Sequence, residues 1–141
     1  MILLDTDHLS ILTNARATGH TALVKRIDAA AAEDFGIPVV AAEEQCRGWL
    51  AEVARQRDLD RLVRAYDQLA KLFDFLGDWE IVRFDARAAE QFRRLHRQLR
   101  RMGTQDLKIA AIAIANDALL LSANLSDFER VPGLRVKDWL H

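Results

Sequence analysis

Acidic residues that directly follow short apolar runs are the side chains of this sequence best placed to do chemistry. Asp5 comes straight after the apolar run at positions 2–4, and Asp7 stands two residues later. A carboxylate against a buried strand needs a hydrogen-bond donor, a cation or a metal, and no Lys or Arg lies nearby in the sequence. Three interpretations fit these acids: a helix cap, a nucleophile for phosphoryl transfer, or part of a metal site.

Further acids occur where the sequence predicts the same edge of a sheet. Glu43 and Glu44 lie in the first turn of the helix predicted after the second strand. Asp106 lies in the first turn of the helix before the fourth strand, and Asp127 lies just beyond that strand. Because ligand sites of parallel sheets form at the carboxyl ends of the strands, we expect these acids to meet Asp5. Each acid alone could equally serve only the helix dipole, which is worth about 0.3–1 kcal/mol.

The expected convergence of these carboxylates indicates a bound cation. Four carboxylates at one edge repel one another and raise each other's pKa unless a cation is present. Oxygen-only ligands suit Mg²⁺ or Mn²⁺, in a one-metal or a two-metal site, and such a site serves phosphodiester hydrolysis. Zinc fits less well, because Cys46 is the only cysteine and the histidines are scattered. We expect His8 on a helix surface rather than among the ligands.

The elements that must position these acids follow from the pattern of apolar residues. The sequence predicts strands at 2–4, 35–40, 79–84, 118–123 and 134–140. It predicts helices from Leu9 onward and at 20–32, 41–56, 58–76, 86–102 and 105–117, with Asp7 or Ser10, Asp85 and Thr104 as N-caps. This alternation indicates a helix-rich, three-layer α/β/α fold with a mostly parallel sheet of four to five strands.

Composition limits the class of protein. The 141 residues are 50% hydrophobic and 29% charged, which suits one globular domain over residues 1–141. The formal net charge of −1 excludes a strongly basic coat for nucleic acid, so any contact with RNA must come from local clusters. No signal peptide or membrane span is predicted, and the single cysteine is typical of a reducing compartment. We therefore expect a cytoplasmic protein.

Four segments carry the candidate acids and their surroundings: ILLDTDHLS, VVAAEEQCRG, GTQDLKIAAIAIAND and LLLSANLSDFERVPGLRVKDW. In order and spacing they resemble PIN-domain ribonucleases, in particular the VapC-type toxins of type II toxin–antitoxin pairs. The resemblance implies that four acids form the catalytic metal site: Asp5, Glu44, Asp106 and Asp127. Glu43 fits this pattern less well than Glu44.

The same resemblance implies supporting residues, a cofactor and partners. Thr6, Asn124 and Ser122 would surround the metal ligands, and Ser122 stands where the family often has Thr. The implied activity is that of a Mg²⁺- or Mn²⁺-dependent endoribonuclease that cleaves cellular RNA by metal-activated water. The implied partners are the RNA substrate, a cognate VapB-type antitoxin and a second copy of the chain, with no membrane.

Two surfaces outside the acidic cluster are candidates for contact with these partners. Arg97, Arg100 and Arg101 crowd the end of one predicted helix, and Lys108 lies close to Asp106, so these four are candidates for RNA binding. The alternative for the arginines is a solvated face that favours the helix dipole. The predicted helix at 58–76 has more large apolar residues than one face requires, and the surplus could contact a second copy or the antitoxin.

Rival functions remain to be weighed against this one. The opening LLDTD also resembles haloacid-dehalogenase-type phosphatases, in which Asp5 would be a covalent nucleophile. That interpretation needs a later lysine and a further acidic motif, and it leaves Glu44 and Asp106 unexplained. A response-regulator receiver would have to use Asp85, which fits a helix cap better. A housekeeping PIN nuclease without an antitoxin is the remaining alternative.

Overall fold

The computed structural model describes all 141 residues, which form five strands and seven helices. In chain order the elements are β1 (Ile2–Leu4), α1 (Thr6–Leu12), α2 (His20–Ala29), β2 (Phe35–Pro38), α3 (Val39–Arg55), α4 (Leu59–Gly77), β3 (Ile81–Val82), α5 (Ala86–Gln98), α6 (Thr104–Ala115), β4 (Leu119–Leu121), α7 (Leu125–Phe128) and β5 (Arg135–Lys137). The helix-rich α/β class predicted from the sequence is confirmed. The short helix α7 was not predicted.

The five strands form one sheet in the order β3-β2-β1-β4-β5, and every neighbouring pair is parallel. The chain builds outward from β1 to β3 on one side and then returns to build β4 and β5 on the other. Open sheets of this kind have a crevice where the strand order changes direction, at the carboxyl ends of the two strands concerned. Asp5 follows β1 and Ser122 follows β4, so both residues lie at this crevice.

Alternate residues of the strands face apolar clusters on opposite sides of the sheet. The larger cluster contains Leu3 and Leu120 together with buried residues of α6. The smaller cluster is formed by Ile2, Leu4 and Leu121, against which partly buried side chains pack: Leu12, Phe35, Trp79, Leu119 and Trp139. The two clusters account for the predicted three-layer arrangement. They hold β1 and β4 rigidly together, which fixes the positions of the residues that follow them.

The second and third strands are shorter than predicted. The second strand ends at Pro38, which lacks an N–H with which to continue a strand ladder, and Val39 already begins α3. The third strand shrinks to two residues because its neighbour β2 ends where Pro38 aligns with Val82. Glu43 and Glu44 therefore lie about one turn into α3 rather than in its first turn.

The predicted N-caps Asp7 and Ser10 of the first helix are both wrong. Asp5 is the N-cap of α1, and its carboxylate accepts a hydrogen bond from the Thr6 amide at 2.7 Å. The helix therefore begins directly after β1, without a connecting loop. In the sequence, Asp5 and Asp7 therefore flank Thr6, the first residue of the helix.

Of the two N-caps predicted for the later helices, one is confirmed and one is corrected. Asp85 is the N-cap of α5, as predicted, and accepts from the Ala88 amide at 3.0 Å. Gly103 rather than Thr104 precedes α6, because the Gly103 carbonyl already accepts the Leu107 amide at 3.0 Å. None of the seven helices combines the length and the apolar character needed to cross a membrane.

Candidate active site

Asp5 stands at the carboxyl end of β1 with both of its carboxylate oxygens engaged. Oδ1 accepts from the Thr6 amide and Oδ2 from the Ser122 hydroxyl, each at 2.7 Å. Asp5 is only 6% exposed, and Ser122 is fully buried. These two donors are neutral, so they leave the buried negative charge unbalanced. Burial raises the pKa of Asp5 to about 6, and the nearby charges of Asp7 and Asp106 act in the same direction.

Asp7 has a different environment although it is only two residues away. Its Oδ2 accepts from the Ala123 amide at 2.9 Å and lies 3.3 Å from Ser122 Oγ, whose single hydrogen goes to the closer Asp5. Its Oδ1 lies 2.6 Å from both the amide nitrogen and the ring Nδ1 of His8. Burial by itself raises the pKa of Asp7, but the hydrogen bonds from His8 and Ala123 outweigh it and leave the pKa lowered. Asp5 and Asp7 are therefore not equivalent carboxylates.

Asp106 is the acid that links the others electrostatically. Burial raises its pKa, and the negative charges of Asp127 and Asp7 raise it further. The charge of Asp106 in turn raises the pKa values of Asp5 and Glu44, in each case after the effect of burial. Acids from four separated parts of the chain are thus close enough for their charges to influence one another through Asp106, and their joint role as a metal site stays a prediction.

Asp127 is held by the segment that follows β4. The Asn124 side-chain amide donates to Asp127 Oδ2 at 3.1 Å, and the Asn124 backbone N–H donates to Ser122 Oγ at 3.1 Å. The short helix α7 begins directly after Asn124 and carries Asp127. One connected set of hydrogen bonds therefore runs from Asp127 through Asn124 and Ser122 to Asp5.

The structure allows a test of whether these residues suit a metal ion. No group of three or more His, Cys, Asp or Glu residues is arranged to hold one. Two oxygens, Thr6 Oγ1 and Glu44 Oε1, are buried without a hydrogen bond of normal geometry, although the Thr6 side chain lies close enough to Glu44 to lower its pKa. Buried unpartnered oxygens are costly, and an all-oxygen donor set suits Mg²⁺ or Mn²⁺. By the chemistry of their donor atoms, the residues suit a hard divalent cation.

The two adjacent glutamates of α3 differ in the same way as the two aspartates. Glu43 accepts from the Gln105 side chain at 3.1 Å and pairs with Arg47 at 2.7 Å, and these contacts lower its pKa. Burial instead raises the pKa of Glu44. The charge of Arg47 lowers the pKa of Glu44 only as a minor effect, so Glu44 is the less compensated of the two glutamates.

The basic candidates lie at different distances from the acidic cluster. Lys108 donates to the Gln105 side chain at 3.1 Å, and its positive charge contributes to the lowered pKa of Glu43. Arg97, Arg100 and Arg101 are exposed, and their charges do not figure among the causes of the pKa shifts of Asp5, Glu44 or Asp106. The structure therefore places Lys108 beside Gln105 and Glu43, and it leaves the three arginines exposed at the end of α5 and in the segment that follows it.

The prediction that His8 lies on a helix surface is wrong. His8 is fully buried, and its Nε2 accepts a hydrogen bond from the Trp139 backbone N–H at 3.0 Å. One sequence signal could have shown this. Helical spacing puts His8 on the same face of α1 as Ile11 and Leu12, three and four residues later, and this face is apolar. The partner of His8, Trp139, lies 131 residues later, so the sequence around His8 could not identify it.

Comparisons with known proteins identify the family of this chain. The model of the PIN domain matches residues 2–134. The chain belongs to the PIN domain family. Its recognition from the sequence is therefore confirmed, and membership favours a nuclease over the haloacid-dehalogenase-type phosphatase.

Individual relatives within this family are VapC proteins. The chain is 35% identical over 74 residues to "Ribonuclease VapC2" of Rickettsia felis, covering 50% of this chain and 55% of the relative. It is 33% identical over 75 residues to "tRNA(fMet)-specific endonuclease VapC" of Salmonella typhimurium, covering 50% and 57%. The matched segments thus span little more than half the length of these curated relatives.

Solved structures of related complexes share the whole fold. The toxin–antitoxin complex VapBC2 of Rickettsia felis, bound to a promoter DNA fragment, contains a chain with a TM-score of 0.77 and 25% identity, covering 99% of both chains. DNA-bound VapBC of Salmonella typhimurium also gives a TM-score of 0.77, at 23% identity over 98% of this chain and 97% of the other, which shows the fold alone. The predicted PIN-like architecture is confirmed.

The raised pKa of Asp5 predicts how stability depends on pH without metal. Because the folded protein keeps the Asp5 proton to higher pH than the unfolded chain does, the free energy of unfolding falls as pH rises from about 4 to about 6. Asp5 alone contributes on the order of 2–3 kcal/mol to this fall, and Asp106 and Glu44 act in the same direction. Thermal unfolding in chelator should show a melting temperature that decreases over this range.

Asp5→Asn should remove much of this dependence, so that the variant equals or exceeds the wild type in melting temperature at pH 7. The Ser122 hydroxyl can accept from the new amide and donate to Asp7 instead. Asp117→Asn is the matched control, since Asp117 precedes β4 at the opposite edge of the sheet and its side chain is fully exposed. A wild-type melting temperature that rises steadily from pH 4 to pH 7 would contradict the assignment of a buried, uncompensated Asp5.

Proposed function

We propose that this chain is a Mg²⁺- or Mn²⁺-dependent endoribonuclease and the toxin of a VapBC-type toxin–antitoxin pair. The observation that carries the proposal is the meeting of Asp5, Glu44, Asp106 and Asp127 at the crevice of a PIN-family sheet. Relatives that are at least 33% identical over half the chain bear the names ribonuclease and endonuclease VapC. Their names supply the substrate class, and the acidic crevice supplies the chemistry.

Four acids of the crevice would hold the cation: Asp5, Glu44, Asp106 and Asp127. When bound, a divalent ion supplies an activated water and stabilises the charge that develops on the scissile phosphate. Asp5 and Asp106 have pKa values raised by burial and by neighbouring acids, so a positive charge nearby stabilises their ionised forms most. Glu44 brings an oxygen that has no other partner.

The supporting residues would orient these ligands rather than bind the ion. Ser122 donates to Asp5, and Asn124 donates to Asp127, so each fixes one carboxylate oxygen and leaves the other lone pairs available. Thr6 offers its amide to Asp5, and its hydroxyl lies close enough to Glu44 to lower the pKa of that carboxyl. Such supporting hydrogen bonds set the direction of metal ligands and their affinity for the ion.

RNA would reach this acidic crevice with the help of basic side chains. Lys108 lies one side chain away from Glu43 and is placed to contact a phosphate near the cleavage site. Arg97, Arg100 and Arg101 are exposed at the connection between α5 and α6, which leads directly to Asp106. Phosphate contacts from these residues would offset the repulsion between RNA and the acids.

A surface on α4 supports the antitoxin partner. Leu59, Val63, Tyr66 and Phe73 repeat at helical spacing, and each is more than half exposed, with values from 55% to 73%. We define these four residues as the α4 stripe. Exposed apolar rows of this kind receive an amphipathic helix or an extended segment. We assign the stripe to the antitoxin, and the homodimer remains a separate proposal that rests on the family resemblance.

Removal of the central acids should abolish RNA cleavage. Asp5→Asn and Asp106→Asn should each lower the cleavage rate of a mixed cellular RNA by at least about 100-fold, the upper end of what loss of a supporting partner costs. Circular dichroism should show an unchanged fold, and Asp117→Asn should cleave like the wild type. Full cleavage by both variants, or cleavage by the wild type in excess chelator, would refute a metal-dependent nuclease that uses these acids.

Removal of the three arginines should weaken RNA binding in a salt-dependent way. Three lost phosphate contacts lower the slope of log K against log salt by about 2 for single-stranded RNA. The test uses Arg97→Ala, Arg100→Ala and Arg101→Ala together, in the Asp5→Asn background so that RNA stays intact. A matched triple variant at the turn between α3 and α4 removes equal charge: Arg55→Ala, Arg57→Ala and Arg61→Ala. Equal slopes for the two triple variants would remove these arginines from the RNA surface.

Charges introduced into the α4 stripe should separate the chain from its antitoxin. Val63→Asp and Tyr66→Asp should each raise the dissociation constant for the product of the adjacent small reading frame by at least about tenfold, since burial of a large apolar side chain is worth about 1.5–3 kcal/mol. Leu50→Asp on α3 is the control, an exposed leucine outside the stripe.

Three outcomes would change the partner assignment. Unchanged binding by the stripe variants would show that the antitoxin uses another surface. A wild-type dimer that becomes monomeric in these variants would assign the stripe to the second copy. The absence of any binding by an adjacent gene product would favour a PIN nuclease that works without an antitoxin.

A further inference from the structure

The side chain of His8 uses both of its ring nitrogens. Nδ1 lies 2.6 Å from Asp7 Oδ1, and Nε2 accepts the backbone N–H of Trp139 at 3.0 Å. The residue is completely buried. Asp138 lies near the same ring, 3.8 Å from Nε2, which is too far for a hydrogen bond. His8 therefore bridges two segments 131 residues apart in the chain.

The partners of the ring determine where its proton resides. Since the Trp139 amide can only donate, Nε2 must offer a lone pair. Since an ionised carboxylate can only accept, Nδ1 must carry the hydrogen. The geometry thus selects the neutral form with hydrogen on Nδ1. A histidine that merely fills space in the core would not need this match at both nitrogens.

The contacts of Asp7 continue from this ring into the candidate active site. Asp7 Oδ2 accepts the Ala123 amide at 2.9 Å, next to Ser122, whose hydroxyl donates to Asp5 at 2.7 Å. Asp7 thereby fixes the backbone turn that presents Ser122 to Asp5. His8 holds Asp7 in the required direction, because both its ring Nδ1 and its backbone N–H donate to Asp7 Oδ1.

The other nitrogen of the ring holds the chain terminus. Trp139 packs against the cluster of Ile2, Leu4 and Leu121, and its ring meets Phe35 edge to face with centroids 6.3 Å apart. The Trp139 amide would otherwise be left without this buried acceptor. The segment after β5 is thus docked on α1 through His8.

We propose that His8 is a positioning residue with two separable arms: Nδ1 aligns Asp7 and the Ser122–Ala123 turn at the active site, and Nε2 docks the C-terminal segment through Trp139. For catalysis this inference rests on the proposed nuclease function. The lowered pKa of Asp7, which hydrogen bonds from His8 and Ala123 produce against the effect of burial, agrees with the first arm.

Two substitutions separate the arms by chemistry. In His8→Asn the side-chain amide lies as many bonds from the backbone as Nδ1, so it can donate to Asp7 but cannot reach Trp139. In His8→Gln the amide oxygen lies as many bonds away as Nε2, so it can accept from Trp139 but cannot serve Asp7 in the same way. His96→Asn and His96→Gln are matched controls on the exposed surface of α5.

The experiment measures hydrogen exchange of the Ala123 and Trp139 amides by NMR, together with the ¹⁵N shifts of the His8 ring. His8→Asn should speed exchange at Trp139 on the order of tenfold and leave Ala123 protected. His8→Gln should speed exchange at Ala123 to a similar extent and leave Trp139 protected. The wild-type ring should show hydrogen on Nδ1. RNA cleavage, measured below the melting temperature of each variant, should fall on the order of 10–100-fold in His8→Gln and should be largely retained in His8→Asn.

The exchange results and the cleavage results test the His8 inference and the proposed function independently of each other. A wild-type protein that cleaves no RNA would overturn the proposed function, while the two amides would still decide whether His8 positions the turn and the tail. Hydrogen on Nε2 in the wild type would overturn the inference. So would equal effects of His8→Asn and His8→Gln on both amides, which is the pattern of a residue that only fills the core.

Discussion

The structure depends on the burial of the Asp5 carboxylate at the carboxyl end of its central strand. A buried charge of this kind costs several kcal/mol unless other groups compensate it. Asp5 receives two hydrogen bonds from neutral donors, Thr6 and Ser122, and no countercharge. The remaining cost appears as a pKa raised to about 6. The fold thus keeps a carboxylate whose charge the protein does not balance, at the point where β1 and β4 separate.

The neighbouring acids fall into two groups, whose pKa values shift in opposite directions. Asp7 and Glu43 each receive donors from protein groups, and both have lowered pKa values. Asp5, two residues before Asp7, and Glu44, directly after Glu43, have raised pKa values because burial outweighs the hydrogen bonds they receive. Asp7 and Glu43 are therefore tied to neighbouring protein groups, whereas the charges of Asp5 and Glu44 are compensated less.

Much of this arrangement could be predicted because its signals are local. The apolar run at 2–4, the cap at Asp85 and the Ala-rich sequence of α6 each determine their own element, and parallel topology then brings Asp5 and Asp106 to one edge. The roles of Asp7 and His8 could not be predicted, since their partners Ala123 and Trp139 lie more than 100 residues away. The third strand was overestimated because its length is set by Pro38 on its neighbour. Whether Asp7 influences a bound metal stays a prediction, as do the single domain and the cytoplasmic location.

The central claim is that the buried acids form a site for a hard divalent cation, and anomalous diffraction from crystals soaked in Mn²⁺ tests it most directly. The account predicts one or two anomalous peaks at the crevice, with Asp5 and Asp106 in direct contact and with Glu44 or Asp127 completing the protein ligands. It also predicts that the Asp5 and Asp127 side chains rotate relative to their present contacts with Thr6 and Asn124. A crevice without an anomalous peak at saturating Mn²⁺, or an ion bound elsewhere on the surface, would contradict it.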